Sequence, residues 1–383
     1  MDSCDVLIVG AGPAGSTCAW RLRDAGLDVA IVDKEHFPRD KVCGGWLTPA
    51  VFQTLGVSPE EYRAGRVFQP VTHFLTSIIG GPTIETSYSQ PVSYGIWRRE
   101  FDQFLLDRAE ARLLEPRQIR ALHKGPKGWL INNDIRANLV VGAGGHFCPV
   151  ARYLGSRPSM EHSIHAQEAE WEMDIRNADT CSVRGNTPEL FFSPDMRGYG
   201  WCFRKGRRLN VGFGRLNEHH LAKHATEFRE HLQNRRCINT MMPSSFRGHA
   251  YLLRSTATRP CVSDGLLLVG DSAGLAFSAS GEGILPAVES GILAADVILA
   301  ANGNYSERTL APYADALTAR FGPPMPSLSA RLAGSIPAPL LCGMLKRLMR
   351  NRGFVERIVL DRWFLHKARP PQGFEGALEP WRE

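Results

Sequence analysis

Residues 5–15 read DVLIVGAGPAG, and this stretch decides the fold of the 383-residue chain. Four successive apolar residues, 6–9, are typical of a strand that is buried on both faces of a parallel sheet. The pattern Gly-x-Gly-x-x-Gly follows at once and leads into a helical pattern over residues 14–25. A second strand over residues 27–32 ends in Asp33, about 20 residues beyond the glycines. This order predicts a Rossmann-type βαβ unit that binds a dinucleotide.

The residues of the glycine turn have distinct roles in such a site. Gly10 allows the tight turn, Gly12 lets a pyrophosphate approach the backbone, and Gly15 lets the helix and the strand pack closely. The N-terminus of the helix presents N–H groups and a partial positive charge to the diphosphate, and Asp33 accepts hydrogen bonds from a ribose. Because this fingerprint serves NAD as well as FAD, another segment has to decide between the two cofactors.

A second glycine-rich segment, GLLLVGDSAGLAFSASGEGILPAVESG, spans residues 265–291. It resembles the flavin-binding segment of the geranylgeranyl reductase family, which lies within the larger superfamily of hydroxylase-type flavoproteins. The resemblance implies noncovalently bound FAD, with Asp271 near the ribityl chain and a helix that opens at Gly281-Glu282-Gly283 and faces the isoalloxazine ring. Helix-terminal N–H groups in that place stabilise the negative charge of a reduced flavin. Asp271 is also suited to cap a helix, a role that is compatible with flavin contact.

Three further segments resemble the same family. PRDKVCGG at residues 38–45 resembles its PRxKxCGG segment, residues 98–102 resemble the start of its RxxFD helix, and residues 139–145 resemble its VIGADG turn. Gly144 departs from the last pattern, in which the superfamily has Asp, so we expect only a structural turn there. Arg98 is either a partner of the cofactor or one half of a surface salt bridge. The predicted cofactor-binding residues are Gly10, Gly12, Ala14, Gly15, Asp33, Lys34, Arg39, Cys43, Gly44, Gly45, Arg98, Gly270, Asp271, Gly281, Gly283 and Ile284.

Cys43 is the first predicted catalytic residue, because two glycines after a thiol let the backbone and a substrate approach the flavin closely. In the family the matching cysteine lies beside the isoalloxazine ring and the substrate channel; a buried, inert thiol is the alternative. The segment from Tyr199 through Trp201 to Phe203 partly resembles the family's YxxWxFP element, which lines the substrate cavity, although Arg204 replaces the proline. We therefore count Tyr199 and Trp201 with Cys43, against the alternative of ordinary sheet core.

The leading functional hypothesis is a reductase that hydrogenates carbon–carbon double bonds of a hydrophobic, isoprenoid-type substrate. Reduced flavin would supply a hydride, and an acid, either Cys43 or a nearby tyrosine, would supply the proton. The same scaffold also supports an FAD-dependent monooxygenase of an aromatic or polyketide substrate, a flavin-dependent halogenase, or a flavoprotein that passes electrons within a membrane-associated complex. The sequence contains no second Gly-x-Gly-x-x-Gly unit, so we expect NAD(P)H or a reduced electron carrier to dock transiently.

The remaining pattern predicts an α/β fold with three parts. A discontinuous, Rossmann-like FAD-binding domain takes residues 1–70, 97–160 and 255–320. A mostly antiparallel sheet forms the inserted substrate-binding domain, residues 71–96 and 161–254, and a helical region takes residues 321–383. Strands are expected at 189–192, 200–203 and 208–213, and helices over 99–114 and 283–301.

The composition indicates a cytoplasmic protein. Apolar residues make up 43% and charged residues 22% of the chain, and no apolar run is long enough for a membrane span. The chain enters its first strand too early for a signal peptide. Nine cysteines without paired spacing predict neither disulfides nor a metal site. The net charge of +6 is modest, and we expect no nucleic-acid partner.

The C-terminal region is both basic and apolar. Leu341, Leu345, Leu348 and Met349 form a helical stripe that is interleaved with lysine and arginine side chains. This helix either contacts an anionic membrane surface, which would make the protein membrane-peripheral, or packs on the sheet of the substrate domain.

Overall fold

The structure is a computed structural model that describes residues 1–216, 221–234, 238, 242–326 and 336–367. Its strands are β1 (Asp2–Val9), β2 (Val29–Val32), β3 (Trp46–Leu47), β4 (Phe68–Val71), β5 (His73–Ile78), β6 (Thr83–Ser87), β7 (Ser93–Ile96), β8 (Arg112–Leu113), β9 (Leu122–Gly125), β10 (Gly128–Ile131), β11 (Ile135–Gly142), β12 (Ile164–Glu172), β13 (Glu189–Phe192), β14 (Gly198–Lys205), β15 (Arg208–Leu216), β16 (Arg247–Tyr251), β17 (Val262–Ser263) and β18 (Leu266–Leu268).

The helices are α1 (Pro13–Leu22), α2 (Pro49–Leu55), α3 (Pro59–Arg63), α4 (Arg98–Ala109), α5 (Pro149–Tyr153), α6 (Ile175–Thr180), α7 (Leu221–Asn234), α8 (Ile284–Ala300), α9 (Glu307–Leu310), α10 (Pro312–Phe321), α11 (Ala338–Leu348) and α12 (Arg352–Phe354). Short 3₁₀ turns cover Pro158–Met160, Arg254–Thr256 and Gly270–Ala273, and a π-helix follows α12 at Val355–Phe364.

One sheet carries the predicted βαβ unit. Its strand order is β17-β18-β11-β1-β2-β8, and β18, β11, β1, β2 and β8 are mutually parallel. The β9–β10 hairpin extends this sheet beside β11. Residues 6–9 are buried, as expected for a parallel strand covered on both faces. The prediction of a strand, a helix and a second strand is confirmed, and the glycine turn lies at the carboxyl end of β1, next to that of β11.

Helices α1 and α8 pack against each other through small residues. A Cβ atom on Gly291 would lie 2.5 Å from the carbonyl oxygen of Ala14, so the two helices touch through their backbones. A Cβ atom on Gly270 would lie 3.0 Å from the Cβ of Ala14 and 3.3 Å from that of Ala287. The first turns of both helices therefore contact the Gly270–Ala273 turn, and their N-termini converge there.

The second sheet is mostly antiparallel and has the order β16-β12-β15-β14-β13-β5-β6, in which only β13 and β5 run parallel. A small third sheet has the order β3-β7-β4. The strands expected at 189–192, 200–203 and 208–213 are confirmed within β13, β14 and β15. The first sheet draws its strands from residues 2–32, 112–142 and 262–268, and the second from residues 73–87 and 164–251.

The C-terminal helices cover one face of the second sheet. The π-helix contributes Val359, Leu360 and Phe364 to an apolar cluster with the sheet. Trp46 lies between the rings of Phe74 and Phe364, at centroid distances of 5.3 and 5.4 Å. Of the predicted stripe, Met349 joins this cluster, and the choice between packing on the sheet and membrane contact stays a prediction for the rest of that helix.

Two predicted elements end elsewhere. The helix expected over 99–114 stops at Ala109, because Glu110 adopts a left-handed φ of 51° and Arg112–Leu113 joins the first sheet beside β2. The apolar positions 47, 51 and 55 predict one helix, but Leu47 lies in β3, since Pro49 starts α2 two residues later. Most of the proline-rich stretch around residues 327–335 lies outside the described residues.

No described helix is long and apolar enough to cross a membrane. Within the same ranges, His, Cys, Asp and Glu side chains do not gather in a group that could hold a metal ion.

Candidate active site

The turn between β1 and α1 leaves open the space that a pyrophosphate requires. Gly10 has a φ of +114°, and a Cβ atom there would lie 2.4 Å from the carbonyl oxygen of Ala143. A Cβ atom on Gly15 would lie 2.0 Å from the carbonyl oxygen of Gly10. On Gly12, by contrast, the nearest atom would be Nη2 of Arg39, at 3.5 Å. The packing of the protein itself therefore requires Gly10 and Gly15, whereas Gly12 faces open space beside a guanidinium group.

Asp33 closes this turn from the end of β2. Its Oδ2 accepts a hydrogen bond from the N–H of Ala11 at 2.8 Å, and its Oδ1 accepts one from the N–H of Glu35 at 3.0 Å. A carboxylate has further lone pairs, so Asp33 can also accept from a ribose. Its neighbour Lys34 extends into solvent with 70% of its side chain exposed, and Nζ lies 3.9 Å from Glu35.

Two arginines beside Gly12 share one buried carboxylate. Asp102 accepts two hydrogen bonds from Arg98, at 2.8 and 2.9 Å, and lies 3.1 Å from Nη1 of Arg39. Burial lowers the pKa of Arg98, but Asp102 and the nearby Cys43 raise it more, so that it lies above its ordinary value. Nη1 of Arg39 is buried and makes no hydrogen bond to the described residues. Arg98 thus belongs to a buried ion pair, and one guanidinium charge remains for an anionic ligand.

The second glycine turn places Asp271 next to His249, whose pKa is lowered by burial and by the neighbouring Lys41. Its Oδ2 lies 3.6 Å from Nε2 of His249, and Nζ of Lys41 lies 3.0 Å from Nδ1 of the same ring. Burial alone raises the pKa of Asp271, but His249, Lys41 and Arg98 lower it below its ordinary value. Burial, assisted by Arg98, lowers the pKa of Lys41 to about 8. A Cβ atom on Gly283 would lie 3.1 Å from Oδ1 of Asp271, so an ionised carboxylate faces the start of α8.

The Gly281-Glu282-Gly283 turn opens α8. Oε1 of Glu282 accepts the N–H of Leu285 at 2.8 Å, and Oε2 lies 3.3 Å from Nε2 of His366. Gly281 has a φ of +75°, and a Cβ atom there would lie 2.3 Å from the hydroxyl oxygen of Tyr251. Glu282 therefore caps the helix while the glycine before it makes room for a tyrosine of the second sheet.

Ala14 and Ile284, the other two predicted contact residues, lie in the first turns of α1 and α8. Both side chains are buried in the core of the first sheet. Only their backbone N–H groups, at helix N-termini, are suited to contact a ligand.

The backbone of Cys43-Gly44 is held by buried side chains of the second sheet. The N–H of Cys43 donates to Oε1 of Glu168 at 2.6 Å, and its carbonyl accepts from Nδ2 of Asn210 at 3.1 Å. The carbonyl of Gly44 accepts from Nζ of Lys205 at 3.1 Å. These three side chains come from β12, β14 and β15, so the sheet fixes the loop from one side.

The Cys43 thiol is free and half-buried. The N–H of Gly45 donates to its Sγ at 3.4 Å. Gly45 itself has a φ of +64°, and a Cβ atom there would lie 2.2 Å from the carbonyl oxygen of Ile96. The loop therefore accepts only glycine after Gly44, and the sulfur stays partly accessible.

Tyr199 and Tyr251 meet at the turn that precedes α8. The hydroxyl of Tyr199 donates to the carbonyl of Ser280 at 2.6 Å, and the hydroxyl of Tyr251 lies against Gly281. Burial, with the neighbouring Cys43, raises the pKa of Tyr199 well above its ordinary value. Both phenols therefore remain protonated and lie near the thiol.

Trp201 supports the Cys43 loop. Its Nε1 donates to Oδ1 of Asn210 at 2.6 Å, and a Cβ atom on Gly44 would lie 3.5 Å from the same nitrogen. Its ring covers Gly212, where a Cβ atom would lie 2.2 Å from Cζ2. The indole N–H is thus engaged with the protein, and the ring is a wall of the site.

Arg259 connects the glycine turns at the ends of β11 and β18. It donates to the carbonyls of Ser272 and His146, at 3.0 and 2.8 Å, and forms an ion pair with Glu161. Its Nη2 also lies 3.2 Å from Nδ1 of His146. Burial, followed by the charge of Arg259, lowers the pKa of His146 to about 4. His146 is therefore neutral at physiological pH, with Nδ1 as the acceptor.

These groups fit an FAD molecule. Open space at Gly12, the unmatched guanidinium of Arg39 and the N-terminus of α1 suit the pyrophosphate. The carboxylates of Asp33 and Asp271 suit hydroxyl groups of a ribose and a ribityl chain. The start of α8, with Cys43 and the two tyrosines nearby, is suited to the ring.

Sequence reasoning did not single out several residues of the site: Lys41, Asp102, Glu168, Lys205, Asn210, His249 and Tyr251. Glu168 and Asn210 share a signal, since polar and apolar side chains alternate around them in β12 and β15. That alternation identifies one face of a strand. It does not identify what the face contacts, because the pairing of β12, β15 and β16 joins residues far apart in sequence.

Comparisons with known proteins show which proteins this chain resembles. The family described as FAD binding domain matches residues 3–320. Menaquinone reductase of Mycobacterium tuberculosis is 29% identical over 78% of this chain and 77% of its own. Digeranylgeranylglycerophospholipid reductase 3 of Methanosphaera stadtmanae is 28% identical over 83% of both chains. A geranylgeranyl bacteriochlorophyll reductase-like protein of Thermoplasma acidophilum shares the fold, with a TM-score of 0.74 and 21% identity over 96% of this chain and 98% of its own.

Proposed function

We propose, from the premise that this chain belongs to the FAD binding domain family, that it hydrogenates carbon–carbon double bonds of an isoprenoid-type lipid. Family membership makes the protein an FAD-dependent oxidoreductase. The observation that carries the finer proposal is that the Tyr199 and Tyr251 hydroxyls lie at the turn before α8, where burial raises the pKa of both and Cys43 is near enough for its charge to add to this rise. The names of the reductases described above support the class of substrate.

The apolar surface next to these groups suits a lipid. Tyr199 lies 5.8 Å from the ring of Phe192 and 5.3 Å from that of Phe364, and Trp201 extends the same aromatic surface. Such rings bury a large apolar area and pack against a polyprenyl chain without requiring hydrogen bonds. We assign Tyr199 and Trp201 to walls of the substrate site.

The chain's own residues divide the work of holding the cofactor. Arg39 holds the pyrophosphate while Arg98 pairs with Asp102 behind it, Asp33 accepts from the ribose, and Asp271 accepts from the ribityl chain. Bound FAD supplies a hydride when it is reduced. An isolated double bond also needs a proton, and Cys43 is the group that we assign to deliver it from Sγ.

We propose that NAD(P)H or a reduced electron carrier docks only transiently to reduce the flavin. Anaerobic mixing of the yellow protein with NADPH, NADH or a reduced ferredoxin distinguishes these donors. Bleaching of the flavin absorbance identifies the donor that acts, and no bleaching with either nucleotide assigns reduction to a protein carrier.

We further propose that α11 touches an anionic membrane surface when the enzyme collects its lipid. Leu340, Met344 and Leu348 follow one another at four-residue spacing and are 58%, 48% and 41% exposed. Arg347 and Arg350 flank this stripe. An exposed apolar stripe with basic neighbours is typical of a helix that lies in the membrane interface.

Flotation with anionic and neutral liposomes tests the membrane contact. We expect binding to anionic vesicles that weakens at high salt and is lost when Leu340, Met344 and Leu348 are replaced by Ser. Replacement of the exposed Leu113, which lies outside α11, by Ser is the control. Equal flotation of the triple variant would contradict the assignment.

The reaction is tested on chemically reduced protein with menaquinone, geranylgeranylated ether lipids and phenolic polyketides, without and then with oxygen. Gain of two hydrogens in the absence of oxygen supports the reductase, and C43A should lose this product while it keeps its flavin. C261A, which removes another half-buried thiol, is the matched control. Gain of one oxygen atom, seen only in air, would make the protein a monooxygenase, and incorporation of halide would make it a halogenase.

A further inference from the structure

Glu168 is a buried carboxyl group directly behind the Cys43 loop. Its side chain is on the face of β12 that the loop covers, and only 4% of the residue is exposed. Oε1 accepts the N–H of Cys43 at 2.6 Å. Sγ lies three bonds from that nitrogen, along N–Cα–Cβ–Sγ, so the carboxyl group is a near neighbour of the thiol.

The second carboxyl oxygen of Glu168 has no hydrogen-bond partner that would explain its burial. Oε2 is buried and makes no hydrogen bond to any residue the structure describes. If the only role of this side chain were to accept the N–H of Cys43, an uncharged amide would be sufficient. Burying a carboxyl group without a second hydrogen-bond partner costs free energy. The unpartnered oxygen therefore points to a proton or a water molecule that this site exchanges during turnover.

The charged groups around Glu168 leave its proton available. Lys205 from β14 lies nearby, but its Nζ forms an ion pair with Glu170 at 3.0 Å. Arg208 also pairs with Glu170, at 3.3 Å. Arg247, opposite Glu168 on β16, extends into solvent with 72% of its side chain exposed. Burial, the largest effect, raises the pKa of Glu168 to about 7, although the N–H of Cys43, Lys205 and Asn210 lower it and Glu170 raises it.

We propose that Glu168 is the proton source behind Cys43. When the thiol has given its proton to the substrate carbon, the O–H bond of Glu168 breaks and a new S–H bond forms on the Cys43 sulfur. The carboxylate then takes a proton from water. Glu168 acts through Cys43 and is a positioning and proton-supplying residue; this inference rests on the reductase function proposed above.

The variant E168Q separates proton supply from loop geometry. Its amide oxygen still accepts the N–H of Cys43, but the side chain has no proton to give. The first turnover of reduced enzyme should proceed at nearly the wild-type rate, because it does not draw on the proton of Glu168. Steady-state turnover with excess reductant should fall about 100-fold. Wild-type turnover should fall as the pH rises through about 7, and this dependence should vanish in E168Q.

The control is E172Q. Glu172 lies four residues after Glu168 on the same face of β12, and half of its side chain is exposed. It should keep both phases of turnover and the pH profile. Equal losses of the first and later turnovers in E168Q would reduce Glu168 to a structural role and overturn the proposal.

A second measurement does not use turnover. Alkylation of Cys43 by iodoacetamide, followed by peptide mass spectrometry, reports its thiolate as a function of pH. An ionised Glu168 disfavours a neighbouring thiolate, so Cys43 should react several-fold faster in E168Q than in wild type above pH 7, with Cys261 as the internal control. Identical alkylation profiles would overturn the coupling. A wild type that hydrogenates no lipid but shows the alkylation difference would instead contradict the proposed function alone.

Discussion

Gly12 and Gly15 are three residues apart in one turn, but the structure requires them for different reasons. Replacing Gly15 by Ala drives a methyl group into the carbonyl oxygen of Gly10, so we expect a loss of about 1–3 kcal/mol of stability in the protein without cofactor. Replacing Gly12 by Ala should leave that stability unchanged and weaken FAD binding about tenfold, or about 1.4 kcal/mol. Thermal melts of the apoprotein and flavin fluorescence titration measure the two effects. Equal FAD affinity in G12A would contradict the assignment of the pyrophosphate to Gly12.

His146 makes stability depend on pH in a direction set by its depressed pKa. The unfolded chain binds a proton at His146 below pH 6.5, whereas the folded protein does so only below about 4. The unfolded state thus holds more protons between these values, and stability falls as the pH drops through this window. We expect about 2 kcal/mol from this residue, after allowance for solvent screening.

The measurement for His146 compares wild type with H146Q by chemical unfolding at several pH values from 4 to 7. The difference between the two proteins removes the opposite trend of Glu168, whose raised pKa favours the folded state at the lower end of the window. A difference that is constant with pH would show that folding does not lower the pKa of His146.

At the residue scale the two glycine turns and Cys43 could be predicted from the sequence. Few structural environments require residues of these types, so their presence is informative. The side chains that hold the backbone of the Cys43 loop could not be predicted. Glu168, Lys205 and Asn210 reach the loop across 125 to 167 residues of sequence. Nothing in the local sequence of a strand states which loop its polar face will contact.

At the scale of elements, β15 must leave space for Trp201 of the neighbouring strand. A methyl group on Gly212 would lie 2.2 Å from the indole, whereas one on Gly214, on the same face of the strand, would meet its nearest atom at an ordinary 3.4 Å. We expect G212A to displace Trp201, break its hydrogen bond to Asn210 and cost about 1–3 kcal/mol. G214A should do neither.

Tryptophan fluorescence and thermal melts of G212A and G214A test this difference. The double variant G212A/W201L should recover part of the loss, because it removes the atoms that clash. Equal stability of G212A and G214A would contradict the prediction, because it would mean that β14 and β15 accommodate the added methyl group without loss of stability.

Element type was predictable where a pattern was long, and element ends were not. A run of four apolar residues predicted β1, and helical patterns predicted α1 and α8. The end of α4 was missed by several residues, because the last part of its amphipathic pattern belongs to Leu113 and Leu114, which continue into a short strand and a buried loop. Helical periodicity over so few residues does not exclude a strand that is completed by a distant neighbour.

At the scale of the whole molecule, the C-terminal π-helix completes the core of the second sheet. Phe364 stacks on Trp46 and meets Tyr199 edge-on, with only 5% of the residue exposed. We expect F364A to destabilise this part by about 3–5 kcal/mol and to leave the FAD-binding part folded, since the two have separate apolar clusters. L348A, on the exposed stripe, is the control.

Calorimetry and flavin fluorescence, recorded on the same samples, test this expectation. F364A should lower the first unfolding transition while flavin release keeps its wild-type temperature. Simultaneous loss of both would mean that the C-terminal helix stabilises the whole molecule as one cooperative unit.

The backbone contact between Gly291 and Ala14 has a consequence for the length of the cofactor. Helices α1 and α8 touch through their backbones, so the spacing between their N-termini, which we propose to receive the pyrophosphate and the ring, is fixed by this contact. The two helices therefore set a fixed distance between their N-termini. A mononucleotide such as FMN would reach the tip of α8 and leave that of α1 empty, whereas FAD spans both. The enzyme should therefore select its cofactor by length. A bulkier residue at Gly291 would change the spacing of the two helices, and so weaken this selection, while leaving every ligand-facing side chain in place.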